Sequence, residues 1–176
     1  MKAIFYLPLS LSLLISIAGV SLASDPLPKL PKTSRVDFNR FSQLSLEASQ
    51  VRVNRMVTWE EFQKIAKKPG TILLDTRSRE AFEQVHLKGS VHLNFSDFTE
   101  EKLAKVIPEK TTTILIYCNN NFAGSPVSMM LKMAPASLNV HTQASLRAYG
   151  YENIFELGPY LDVNKTILPF AGTEVE

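Results

Sequence analysis

The sequence carries one cysteine, Cys118, so no disulfide can form within the chain. Charge of one sign is also scarce: the formal net charge is only +2, which gives no basic surface for nucleic acid, and no nucleic-acid partner is expected. The three histidines, His86, His92 and His141, are too dispersed for a metal motif, and neither a metal nor a cofactor is expected. There is no internal repeat and no low-complexity tract. Beyond the first segment no apolar stretch is long enough to span a membrane, so stable insertion after processing is not expected.

What is present is a globular balance, with 45% hydrophobic and 20% charged residues in 176, enough apolar material for one core. The first segment stands apart. Lys2 supplies a positive start, Ala3 to Val20 is almost wholly apolar, and Ser21-Leu22-Ala23 places small residues where a signal peptidase reads. Pro8 and Gly19 shorten the uninterrupted run below the ~20 residues of a membrane span. Residues 1–23 are therefore expected to be a signal peptide cleaved after Ala23, giving a periplasmic or secreted protein. No Cys follows the cleavage position, which excludes a lipoprotein anchor. In an oxidising compartment a lone Cys is buried and inert, paired with another chain, or reactive.

Residues 24–52 read as a linker and an N-terminal extension. Pro26, Pro28 and Pro31 keep the first part extended, and Phe38, Phe41, Leu44 and Leu46 form the apolar side of a short helix that packs on the domain. From 53 to 162 strands and helices alternate. Arg55 to Val57 is a strand, and Thr58 with Glu61 is a capping box for a helix to Lys67 that Pro69-Gly70 stops. Thr71 to Asp75 is a buried strand. Ser78 caps a helix holding Ala81 and Phe82, Val91 to Leu93 is a strand, and Ser96 opens a helix to Val106. Thr112 to Tyr117 is the most strand-like run, Ser125-Pro126 starts a helix to Met133, and Ala134 to Thr142 is a break. A helix from Gln143 to Tyr149 ends at Gly150, and Asn153 to Leu157 is the last strand, before a C-terminal tail, 163–176. This order predicts an α/β domain, with a mostly parallel central sheet flanked by helices on both faces.

Cys118 directly follows the central strand, where open α/β sheets place their working sites. The segment after it is Asn119-Asn120-Asn121-Phe122-Ala123-Gly124. Asn and Gly tolerate left-handed backbone, so this loop can curl until its N–H groups form an anion cradle ahead of a helix start. A free thiol with pKa about 8.5 is only ~3% thiolate at pH 7, whereas a pKa near 6.5 gives ~75%. That shift requires roughly 2.7 kcal/mol in favour of the anion. A helix terminus supplies about 0.3–2 kcal/mol, so loop amides must supply the rest. The residues alone leave open a buried, inert thiol at the same place.

Leu73-Leu74-Asp75-Thr76-Arg77, followed by His86-Leu87-Lys88-Gly89-Ser90-Val91-His92-Leu93, resembles the amino-terminal signature of rhodanese domains. Ile114 to Cys118 is similar to that family's strand into its catalytic cysteine, and Gly150-Tyr151-Glu152-Asn153-Ile154-Phe155-Glu156-Leu157 to its closing stretch. The ordered set spans about residues 53–162 and implies a rhodanese-like fold. It also implies that Cys118 attacks the outer sulfur of a donor, holds it as a persulfide, and passes it to a thiol or cyanide. The implied partners are a small sulfur-containing anion and a thiol acceptor; the sequence names no protein partner. The loop departs from the family's Cys-x-x-Gly-x-Arg/Thr/Ser, with Asn121 and Ala123 at those places, and Ala123 offers nothing to a thiosulfate-type anion. Gly158-Pro159-Tyr160 replaces the usual Gly-Gly and Trp, and Ala134 to Gln143 looks inserted. Related phosphatases end their loop in an Arg, where this chain has Gly124, so phosphatase chemistry is not expected. A binding module that keeps the fold but not the activity, and a thiol redox sensor, are the alternatives. Asp75 and Arg77 are candidates for loop support, or else for structural pairing with Glu80 or Glu83. His86 is expected in a structural hydrogen bond and Trp59 in packing.

Overall fold

The computed structural model describes residues 35–124 and 129–175. The expected signal segment with its cleavage position at Ala23, and the linker after it, lie outside the described residues. Among the described residues no helix is long and apolar enough to cross a membrane.

The chain enters through α1 (Phe38–Arg52), opened by Asp37, whose carboxylate accepts the Arg40 N–H at 2.8 Å. Then come β1 (Met56–Val57) and α2 (Trp59–Ala66), the latter behind the full Thr58–Glu61 capping box. Next are β2 (Ile72–Asp75), α3 (Arg79–Gln84) capped by Ser78, β3 (His86–Leu87) and β4 (Val91–His92). The second half runs α4 (Glu100–Val106), β5 (Ile114–Ile116), β6 (Phe122–Ala123), α5 (Leu138–Ala148), β7 (Ile154–Leu157), β8 (Leu161–Asp162) and β9 (Phe170–Ala171).

Five strands form one parallel sheet in the order β1-β7-β5-β2-β4, which puts β5 at its centre. All three residues of β5 are buried, as a strand covered on both faces requires. Alternation along it divides the core. Leu115 and Tyr117 join Phe62 of α2 on one face, and Ile114 and Ile116 join Leu103 of α4 and Leu146 of α5 on the other. Gly150 ends α5 with φ 82°, and the Tyr151 N–H turns back to the Leu146 carbonyl at 3.0 Å, a left-handed helix stop.

Four expectations are corrected. The extension does form a helix, but Phe38, Phe41 and Leu46 are exposed; Leu44 and Ala48, one turn apart, are its buried residues, and α1 packs against α5. Ser96 does not open α4. Asn94 caps a short 3-10 turn over Phe95–Asp97, and Thr99 accepts the Lys102 N–H to start α4 at Glu100. The helix expected to reach Met133 is absent over 130–133, with Met129 in a 3-10 turn; residues 125–128 lie outside the described residues. Asn120 takes both the N–H and the carbonyl of Lys132, the groups a helix would need for itself. Finally, α5 begins at Leu138, not Gln143, after a 3-10 turn at Ala134–Ala136. The segment after residue 162 also returns to the domain, where β9 pairs antiparallel with β3.

Candidate functional site: a buried thiol beneath a helix start

Residues 117 and 118 leave the end of β5 toward opposite faces of the sheet. On the first face the Tyr117 hydroxyl donates to Asp75 Oδ2 at 2.6 Å and accepts the Leu87 N–H at 3.0 Å. Asp75 in turn holds the Arg77 guanidinium, with Nε at 3.0 and 3.1 Å from its two oxygens and a terminal nitrogen at 2.6 Å. Burial opposes the Arg77 charge, yet the hydrogen bond to Asp75 holds its pKa above the ordinary arginine value. Burial, then the Asp75 charge, drive Tyr117 far above the usual phenol range, so it serves as a neutral donor. Arg77 continues to the Asn119 Oδ1 at 3.3 Å. Asp75 and Arg77 thus pair with each other rather than with Glu80 or Glu83; Glu83 instead lies 3.8 Å from Arg79. His86 bonds the Phe82 carbonyl at 2.7 Å, and Trp59 packs beside Phe62.

The three asparagines act through their side chains. Among the described residues no non-glycine residue has positive φ, so the left-handed curl expected of Asn119, Asn120 and Asn121 does not occur. Asn119 donates to the Met130 carbonyl at 3.1 Å. Asn120 accepts the Lys132 N–H at 3.1 Å and donates to the Lys132 carbonyl at 2.7 Å. Asn121 accepts the Cys118 N–H at 2.9 Å and donates to the Leu157 carbonyl at 2.7 Å. Two asparagines therefore strap the 130–132 segment beside the cysteine, and the third ties the cysteine backbone to the end of β7. Gly124 does need its left-handed φ of 67°, and a side chain there would meet Asn164.

The amides that face the sulfur differ from those expected. The Asn120 N–H of the loop acts on the sulfur together with those of Asn139 and Leu138, in the first turn of α5. The Asn121 and Phe122 N–H groups are spent on the carbonyls of Cys118 and Asn119, and Ala123 lies in β6, paired with Asp162 of β8. The cradle is thus built from one loop amide and a helix start, the positive end of the α5 dipole. Cys118 is 3% exposed. Burial pushes its thiol above the ordinary value, and the three amides offset that only in part. This direction is opposite to the depression weighed from the sequence, because burial acts on the whole anion and the Glu156 charge adds to it.

Beneath the sulfur lies a group that sequence reasoning missed. Glu156 of β7 is buried, and Arg52 at the end of α1 grips it with Nε and a terminal nitrogen, each at 2.7 Å. The Asn139 side chain donates toward Glu156 at 3.3 Å and toward Asn121 Oδ1 at 3.4 Å. An acid inside the otherwise apolar run Ile154-Phe155-Glu156-Leu157 was a readable signal; its partner, a hundred positions earlier, was not. Above the sulfur opens a cavity of about 310 Å³. Cys118, Asn119 and Asn120 line it, Ser78, Asn94 and Ser96 add polar groups, and Phe95 and Leu138 add apolar surface. Lys132 and Arg77 supply two cations and, among the described residues, no carboxylate lines the space, which suits an anion.

Comparison with known proteins agrees with the architecture. The model of the rhodanese-like domain matches residues 58–157, more than half of the chain. Among solved structures, the Alr3790 protein from Anabaena sp. is 20% identical, with 68% of this chain and 94% of that one covered and a TM-score of 0.47. A rhodanese with anions from E. coli is 20% identical over 58% of this chain and 99% of its own, with a TM-score of 0.38. Protein hp1203 from Helicobacter pylori is 17% identical, covering 70% and 94%, with a TM-score of 0.42. No curated protein matches the sequence. The parallel five-stranded sheet with helices on both faces and the matched segment lead to one conclusion: the chain belongs to the rhodanese-like domain family.

Proposed function

We propose that the protein accepts sulfane sulfur on Cys118 and hands it to a thiol or cyanide. The observation that carries this reading is the lone Cys118 at the end of the central strand, lining a cavity beside the first turn of α5 together with Arg77 and Lys132. The Cys118 thiolate attacks the outer sulfur of the donor. A new S–S bond forms at Sγ, the donor's own S–S bond breaks, and its electron pair leaves with the remainder, sulfite in the case of thiosulfate. An acceptor thiolate or cyanide then attacks the outer sulfur, and Cys118 departs as thiolate. The added atom lies about 2 Å beyond Sγ. The amides favour negative charge at each stage without moving, which is electrostatic preorganisation.

The elevated thiol pKa favours a second reading, a rhodanese-fold binding module whose cavity holds an anion without chemistry. One measurement separates them. The protein is incubated with polysulfide or with thiosulfate, and its intact mass is recorded beside that of Cys118→Ala. Gain of one sulfur atom in the wild type alone is the expected result. A wild-type chain that stays unmodified with both donors, while an anion still protects Cys118 from alkylation, would establish the binding module instead.

A further inference from the structure

The family match begins at residue 58, whereas α1 ends at Arg52, so this helix lies outside the matched segment. We infer that α1 is a working part of the site: Arg52, acting through Glu156, is a positioning residue that sets how readily Cys118 ionises.

Parity places the parts together. Ile114, Ile116 and Cys118 fall on the face of β5 covered by α5, and Glu156 pairs in register with Ile116 on the neighbouring strand. The Glu156 carboxylate is 4% exposed and directed toward the foot of α5. Bidentate contact with Arg52 fixes both its oxygens. The carboxylate then holds the Asn139 side chain, and Asn139 and Leu138 deliver the helix-start amides to the sulfur. Asn121 closes the ring, since its Oδ1 bonds the Cys118 N–H and receives Asn139. A carboxylate left unpaired here would repel a thiolate, and Arg52 is the group that balances it. The other charged groups on the thiol side are Arg147 of α5, whose Nε is buried, and Arg77 and Lys132, which line the cavity above.

The inference rests on the proposed function only in taking Cys118 as the working atom, and its test needs no sulfur donor. The rate of alkylation of the full-length protein by iodoacetamide is followed against pH, with a thermal melt for every variant. Arg52→Gln is expected to raise the midpoint and slow alkylation roughly threefold or more at neutral pH, about half a pH unit. Glu156→Gln keeps the acceptor for Asn139 but removes the charge, so it is expected to lower the midpoint and speed alkylation by a similar factor. Opposite signs from charge-removing changes at two paired residues are the signature; loss of packing alone shifts both the same way. Arg52→Lys retains the cation and is expected to stay within about a factor of two of wild type. Shifts of the same sign for Arg52→Gln and Glu156→Gln overturn the inference. So does Arg52→Lys slowing alkylation as much as Arg52→Gln. Failure of sulfur uptake in the wild type would remove the proposed function yet leave these opposite shifts readable.

Discussion

On one face of the central strand, Tyr117, Asp75 and Arg77 form a closed set in which each charge and hydroxyl meets a partner within 3.1 Å. On the other, Cys118 sits with α5, whose residues Asn139, Gln143 and Arg147 recur one turn apart. There Asn139 Oδ1, both amide atoms of Gln143 and Arg147 Nε are buried without a hydrogen-bond partner among the described residues. Two neighbouring residues thus open onto a saturated frame and onto an under-saturated site. The difference separates what holds the sheet ends in place from what responds to charge. A buried ion pair with all its bonds made has one arrangement, whereas an incompletely bonded polar layer next to a thiol gains when an anion or a new donor arrives.

The comparison is broken most directly on the frame side. Asp75→Ala leaves the Arg77 guanidinium buried and unpaired, and is expected to cost about 3–5 kcal/mol in denaturant unfolding. A loss below roughly 1 kcal/mol would mean that the frame is no more constrained than the site. On the site side the sign of the pH dependence is the sharper probe. Burial raises the thiol pKa, and attack requires the thiolate. Alkylation of the wild type is therefore expected to climb with pH through and beyond the ~8.5 of an ordinary thiol, about tenfold per unit on the rising limb. A plateau already reached near neutral pH would show that the three amides outweigh burial. The smallest effect belongs to Gln143. Gln143→Leu removes two unpartnered polar atoms at nearly constant volume, and a gain of about 1 kcal/mol is expected by thermal melting. A comparable loss would reveal that this amide is bonded and that the two faces are alike.

Much of the framework was legible along the chain because its signals are local. The Thr58–Glu61 box, the Ser78 cap, the Gly150 stop and the apolar run into Cys118 each depend on residues within a few positions. The asparagines were legible as important and misread in mechanism. Their composition suggested left-handed backbone, but their amides instead bond chain segments that approach only after folding. The exposed Phe38 and Leu46 show the same limit: an apolar pattern identified a helix in the extension but not the face turned inward.

The amino-acid order by itself determined the alternation of strands and helices, the family resemblance and the position of the one cysteine at a strand end, because periodicity, caps and short motifs are written within a few residues. Tertiary structure alone decided which amides reach the sulfur, that burial outweighs them, and that Arg52 and Glu156 lie beneath it. Those outcomes depend on distances across the sheet between residues far apart in the chain, and solvation of an anion is a property of the whole surrounding volume.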